Sequence, residues 1–217
     1  MDDMRHRLRF AIMILGVFLS VFFISETGRC ADVLYQNDFS DPETGWPAGE
    51  DEKIGKLAYE NGYYLVRSNK IWPSMVFGNP GVLLSDIDLE VKATQVIAPT
   101  NNNNSYGVLT RYSEEPFGAY AFLISGDGYW AILKIADGNV VDLFYWAFST
   151  AIRPGNDTNL LRVVCSGTYL AFIVNGVVLG EIRDSRFSEG DIALITITYE
   201  NEPSQIHFDD LMIKAPY

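Results

Sequence analysis

Three acids at alternate positions, Asp86, Asp88 and Glu90, come nearest in this sequence to an arrangement for chemistry. Alternate residues of a strand project to one face, so their carboxylates would stand in a row. Such a row can serve glycoside hydrolysis, where a retaining pair stands about 5–5.5 Å apart and an inverting pair about 6.5–9.5 Å. Lys92 continues the same row, however, and that is how a solvated strand exterior reads. The histidines are His6 and His207. A Ser-His-Asp triad would have to use His207 with Asp209, and no serine is singled out to join them. There is no His/Cys cluster with zinc spacing and no glycine-rich phosphate cradle. The expectation is therefore no catalytic residue.

The aromatic residues offer a different chemistry. A pyranose presents an apolar C–H face that stacks on Tyr or Trp, while its hydroxyls need a few fixed polar groups. Tyr112, Tyr120, Trp130 and Trp146 fall on consecutive expected strands, with Arg111 and Lys134 among them. Within residues 129–135, Trp130 and Lys134 share a face opposite Tyr129 and Leu133, so one face would carry both a stacking ring and a charged donor. The competing reading is a sandwich core with an aromatic rim. Trp46 and Trp72 stand near Gly or Pro turns and read as loop plugs.

These residues need strands to position them, and strands are what the sequence spells. Residues 86–94 alternate strictly: Ile87, Leu89, Val91 and Ala93 against Asp86, Asp88, Glu90, Lys92 and Thr94. Period two is the pattern of a half-buried strand. Asn61-Gly62, Asp127-Gly128, Asp137-Gly138 and Asn175-Gly176 punctuate the rest, and such pairs accept the positive backbone angles of tight hairpins. About twelve to fourteen short antiparallel strands are implied, at sandwich spacing. The Asn run 101–104 marks the clearest loop. With no fixed-period repeat and no interior linker, residues 32–217 read as one domain.

The first 31 residues read differently. Arg5, Arg7 and Arg9 precede an apolar run over residues 10–24, which turns polar by Cys30 and Ala31. Those are the parts of a secretory signal, and the run is shorter than the roughly 20 residues of a spanning helix. A cut after Cys30 has small residues at Gly28 and Cys30; an uncleaved anchor is the alternative. Lipidation of Cys30 would want an apolar residue at Thr27 and a small one at Arg29, and both requirements fail. The expected location is periplasmic, cell-surface or extracellular, with membrane contact only through an uncleaved leader.

Across the 217 residues the formal charge is −12, with 48% hydrophobic and 13% aromatic residues. That composition opposes disorder. The leader holds Arg5, Arg7, Arg9 and Arg29 against Asp2, Asp3 and Glu26, so the body is slightly the more acidic. An acidic body repels phosphate backbones, which excludes nucleic acid as a partner. Neutral sugars, cations and basic proteins are compatible with it. Of the two cysteines, Cys30 and Cys165, the second reads as a small buried hydrophobe; a bridge between them has no support in their spacing.

A series of segments carries a resemblance. It runs from Asp38-Phe39-Ser40-Asp41-Pro42 with Gly45-Trp46, through Tyr59-Glu60-Asn61-Gly62-Tyr63-Tyr64, Tyr106-Gly107-Val108, Arg111-Tyr112 and residues 120–129. It ends with residues 159–165, Val174-Asn175-Gly176 and Phe208-Asp209-Asp210. In order and spacing it resembles the concanavalin A-like lectin/glucanase superfamily, nearest to bacterial 3-keto-disaccharide hydrolase-like and laminin-G-like domains. The resemblance covers nearly the whole body. It implies an all-β, antiparallel jelly-roll sandwich of two curved sheets behind an N-terminal signal helix, often with a sugar-facing concave side. Glucanases of this superfamily begin and end their acid motif with Glu; here the first acid is Asp86 and no Glu closes the motif. Jelly-roll modules of this kind often tie first and last strands with structural calcium, which takes hard oxygen ligands; Asp38, Asp41, Asp209 and Asp210 are the residues that would meet. The expectation is an exported, non-catalytic module that binds carbohydrate, with a structural or adhesive sandwich for an envelope protein as the alternative and a glycoside-processing enzyme behind both.

Overall fold

The computed structural model describes residues 32–69 and 74–216. The leader, Cys30 and Trp72 lie outside the described residues. Among those described, no helix is long and apolar enough to cross a membrane.

Fifteen strands follow one another: β1 (Val33–Asn37), β2 (Gly49–Asp51), β3 (Gly55–Glu60), β4 (Tyr63–Ser68), β5 (Ser74–Gly78), β6 (Ile87–Ile97), β7 (Asn104–Ser113), β8 (Gly118–Ser125), β9 (Tyr129–Ala136), β10 (Asn139–Phe148), β11 (Thr158–Ser166), β12 (Tyr169–Val174), β13 (Val177–Arg183), β14 (Asp191–Thr198) and β15 (Ser204–Lys214). The count slightly exceeds the expectation from turn spacing. β2 is three residues long, too short to leave a periodic trace.

The strands form two antiparallel sheets. The nine-stranded sheet runs β13-β12-β11-β6-β15-β4-β3-β2, with β1 also paired to β15. The six-stranded sheet runs β10-β9-β8-β7-β14-β5. β15 is long enough to take β4 beside its first half and β1 beside its second, with Val33 opposite Lys214.

Alternation on β6 behaves as its sequence predicts. Ile87, Leu89, Val91 and Ala93 are buried between the sheets, while Asp88, Glu90 and Lys92 lie on the outer face. β11 supplies Leu161, Val163 and Cys165 beside them, and β7, β8 and β9 close the core from the other sheet with Val108, Phe122 and Ile132. Trp46 plugs the core near β1, with its indole N–H donated to the Tyr35 hydroxyl at 2.9 Å and its ring edge-on to Phe39. Cys165 is wholly buried and unbridged; burial pushes its thiol up to about 11.

Three of the four turn signals adopt positive φ at both residues: 52° and 80° at Asn61-Gly62, 54° and 74° at Asp137-Gly138, 50° and 82° at Asn175-Gly176. That is the two-residue hairpin whose twist suits the strands it joins. Between β8 and β9 only Gly128 is positive, at 93°, because the loop holds three residues, Gly126-Asp127-Gly128. Gly128 N–H donates back to the Ser125 carbonyl at 3.1 Å.

Candidate functional site

The six-stranded sheet has two apolar faces, and this decides where its aromatics go. Its inner face belongs to the core. Its outer face holds Leu109, Ala121, Leu123, Ala131, Leu133, Ala193 and Ile195 in a second cluster. Trp146 packs against this cluster from β10, while Phe77, Tyr112 and Phe117 gather on the β5 side with centroids 5.3–6.3 Å apart.

At the turn end of that outer face lies a cleft of about 400 Å³ lined by Asn103, Ser125, Asp127, Tyr129, Trp146 and Tyr199. The elements explain each position. Tyr129 opens β9 with the parity opposite to Trp130, and is 42% exposed; Phe148 braces it edge-on at 5.7 Å. Ser125 ends β8, accepts the Tyr129 N–H at 3.3 Å and donates to the Asp127 carboxylate. The three-residue turn thereby fixes Asp127 at the rim. Tyr199 follows β14 and its hydroxyl lies 2.9 Å from the Ser105 hydroxyl; burial raises its pKa, and the Ser105 contact opposes that rise. Asn103 projects from the Asn run, with its backbone N–H held by the Asn101 side chain and its amide donated to Glu200. Rings, an amide, a hydroxyl and a carboxylate thus converge on one opening.

The residues singled out by sequence do not all meet there. Trp146 lines the cleft. Tyr112 is on the same face of the sheet but belongs to the aromatic group on the β5 side. Trp130 is 4% exposed and stacks on Phe144 between the sheets, centroids 4.2 Å apart. The face it shares with Lys134 is the core-facing one. Tyr120 donates its hydroxyl to Asp184 at 2.6 Å, and Lys134 donates to the other oxygen of that carboxylate, also at 2.6 Å. Burial, aided by Asp184, pushes the Tyr120 hydroxyl up to about 12. Burial alone would raise the Asp184 carboxyl, but hydrogen bonds from Lys134, Tyr120 and the Arg186 N–H hold it below the usual carboxylate range. Arg111 is 2% exposed, with φ 51°, and donates to the Ser85 and Phe187 carbonyls and to Asp86. Arg111, Tyr120 and Lys134 therefore fasten segments of the sandwich together.

Of the alternate acids, Asp88 and Glu90 lie on the outer face of the other sheet, whereas Asp86 precedes β6 and accepts from Arg111 and from the Gly167 N–H. Asp88 takes a two-pronged contact from Arg162 at 2.6 and 2.7 Å, and Glu90 lies 3.7 Å from the same guanidinium. Of the terminal acids, Asp38, Asp209 and Asp210 are near one another, while Asp41 makes only local contacts. Asp38 and Asp210 line one cavity of about 560 Å³ together with Glu90 and Lys92. Within it Asp210 is paired with Lys92. Asp38 accepts from Ser40, which lowers its pKa, and Asp41 accepts from the Glu43 N–H. Burial raises the Asp209 carboxyl. Among the described residues no three His, Cys, Asp or Glu side chains group as metal ligands; the cation beside Asp210 is the Lys92 ammonium.

No protein-family model matches this sequence, and no curated protein matches it. Solved structures do. The carbohydrate-binding module CBM66 from Bacillus subtilis aligns with TM-score 0.63 at 16% identity, over 79% of this chain and 96% of that one. A β-1,3-1,4-glucanase (lichenase) from a mouse hindgut metagenome aligns with TM-score 0.65 at 10% identity, over 84% and 99%. The catalytic domain of a laminarinase from Thermotoga petrophila aligns with TM-score 0.60 at 9% identity, over 85% and 98%. The chain has the concanavalin A-like sandwich fold. Binding modules and hydrolases both occur on that frame, so function has to be argued from the site.

Proposed function

We propose that this chain is an exported, non-catalytic binding module for carbohydrate, and that the cleft of Tyr129, Trp146 and Tyr199 is its binding site. The observation that carries the reading is the convergence of those three rings with Asn103, Ser125 and Asp127 on one opening. Aromatic faces beside a few fixed donors and acceptors are what a pyranose needs. A non-catalytic role is favoured by the carboxylates: among the described residues Asp127 is the one acid lining the cleft, whereas hydrolysis calls for two flanking the bond. Export rests on the basic and apolar leader. The resemblance to 3-keto-disaccharide hydrolase-like domains belongs to the same reading, at the level of a saccharide-handling frame.

The test is titration of the purified chain against a panel of soluble oligosaccharides, alongside pull-down on insoluble polysaccharides. Trp146→Ala should weaken at least tenfold whatever binding the parent shows. A broad panel without any binding would sink the proposal.

A second reading has an observation of its own. The edge strands β10 and β13 leave Val140, Val141, Tyr145, Val177 and Val178 exposed. Unpaired edges with apolar side chains suit an added strand from a protein partner. Crosslinking that captures a partner through β10, in a chain with no glycan affinity, would favour it.

A further inference from the structure

The charge around the cleft narrows the sugar. Resting on the reading that the cleft takes a saccharide, we infer that it selects amino sugars in their protonated form over neutral ones, and rejects uronic and other acidic sugars.

The argument begins with what the sheet lacks. The six strands β10-β9-β8-β7-β14-β5 carry two cationic side chains, Arg111 and Lys134. Both are committed elsewhere: Arg111 is buried beneath the Ser85 and Phe187 carbonyls, and Lys134 is paired with Asp184. Arg153, in the loop after β10, turns its guanidinium to the Thr158 carbonyl. Of the lysine and arginine side chains among the described residues, none lines the cleft.

Carboxylates are present instead. Asp127 lines the opening, held by Ser125. Glu200 follows Tyr199 directly and takes its contacts from the neutral amides of Asn101 and Asn103. Among the described residues neither acid has a cation as a partner. An acidic sugar would meet uncompensated negative charge here and find no donor fork. An ammonium group would find a carboxylate at the rim and the faces of Tyr129 and Trp146 beside it, and aromatic faces attract cations in addition to sugar C–H groups. The net charge of −12 gives the long-range field the same sign, favouring encounter with cationic chains at low salt.

The experiment is calorimetric titration of the full chain with three oligosaccharides of matched length: a glucosamine oligomer, its fully N-acetylated counterpart and a uronate oligomer. It is run at about pH 5.5, where carboxylates are ionised and most amines protonated. The glucosamine oligomer should bind about fivefold tighter than the acetylated one, the size expected of one ion pair in contact with water. The uronate should bind weakest. Asp127→Asn should bring the glucosamine-to-acetylated ratio to near one, with Glu200→Gln narrowing it, and added salt should narrow it as well. Equal or weaker binding of the glucosamine oligomer would overturn this inference while leaving carbohydrate binding intact, and so would an unchanged ratio in both variants. If none of the three binds, the inference falls, and the broad panel of oligosaccharides and insoluble polysaccharides decides the proposed function separately.

Discussion

Phe144 and Trp146 stand two residues apart on β10 and face opposite sides of their sheet. Phe144 stacks on Trp130 in the core, and Trp146 packs on the outer cluster and lines the cleft. A regular strand would put both on one face. The register against β9 shifts between Phe144 and Ala147, and the extra residue of that bulge turns Trp146 outward. The two tryptophans that sequence had placed together therefore do different work.

Trp146→Ala should weaken glycan binding at least tenfold and cost less stability than a core deletion, since the ring is only partly buried against the outer cluster. Trp130→Ala should do the reverse, costing about 3–5 kcal/mol of stability as other large core deletions do, with the folded fraction still binding. Titration and denaturant melts on both variants separate the roles. Loss of binding in folded Trp130→Ala with retention in Trp146→Ala would refute this division.

Gly180 should be irreplaceable for a reason of space. A Cβ there would come within 2.6 Å of the Trp130 ring and 3.3 Å of Phe144. Gly180→Ala should cost about 1–3 kcal/mol through overpacking, read as a lower urea midpoint. Gly176→Ala meets nothing within 4 Å, yet its φ of 82° still strains an alanine. A melt of Gly180→Ala equal to the parent's would mean that the stacked pair moves aside freely.

Asp184 should set an acid limb of the stability curve. Its folded pKa is depressed, so the folded state prefers the ionised form. The stability it contributes is present above the unfolded value of about 3.9 and is lost as pH falls through the folded value. Asp184→Asn should cost about 2 kcal/mol at neutral pH and flatten the acid limb. Urea melts at neutral and strongly acid pH would show this; an unchanged acid limb in the variant would place its cause elsewhere.

Asp88→Asn and Glu90→Gln should leave ligand binding untouched, since both acids lie on the outer face of the opposite sheet. Their ion pairs with Arg162, itself 41% exposed, should contribute under about 1 kcal/mol. Titration and melting of the double variant test both statements. Hydrolysis of any glycan by the parent that disappears in Glu90→Gln would bring back an enzymatic role.

Much of the frame was legible in sequence because it rests on local rules. Alternation placed each β6 residue on its side, and Asn-Gly or Asp-Gly pairs located four hairpins. Those signals depend on the pleat and on backbone angles, which neighbouring residues set. The site was less legible. Trp146 was in view, but its companions Tyr129, Tyr199 and Asn103 come from three separate segments that only the paired sheet brings together. Parity did mark Tyr129 as opposite to Trp130; what it could not tell was which of the two faces lay inside. Nor could it foresee the β10 bulge, or that Lys134 and Tyr120 would converge on Asp184, 50 and 64 positions away along the chain.

The pairing of Val33 with Lys214 has a practical consequence. The two ends of the sandwich leave side by side, from the nine-stranded sheet, while the aromatic cleft opens on the six-stranded one. The ends can therefore be joined by a short linker and new ones opened at the Asn61-Gly62 hairpin, where Asn61 is exposed, giving a circularly permuted module. By the same geometry the sandwich can be spliced into a surface loop of a host protein, entering and leaving through one doorway, with the aromatic cleft left clear.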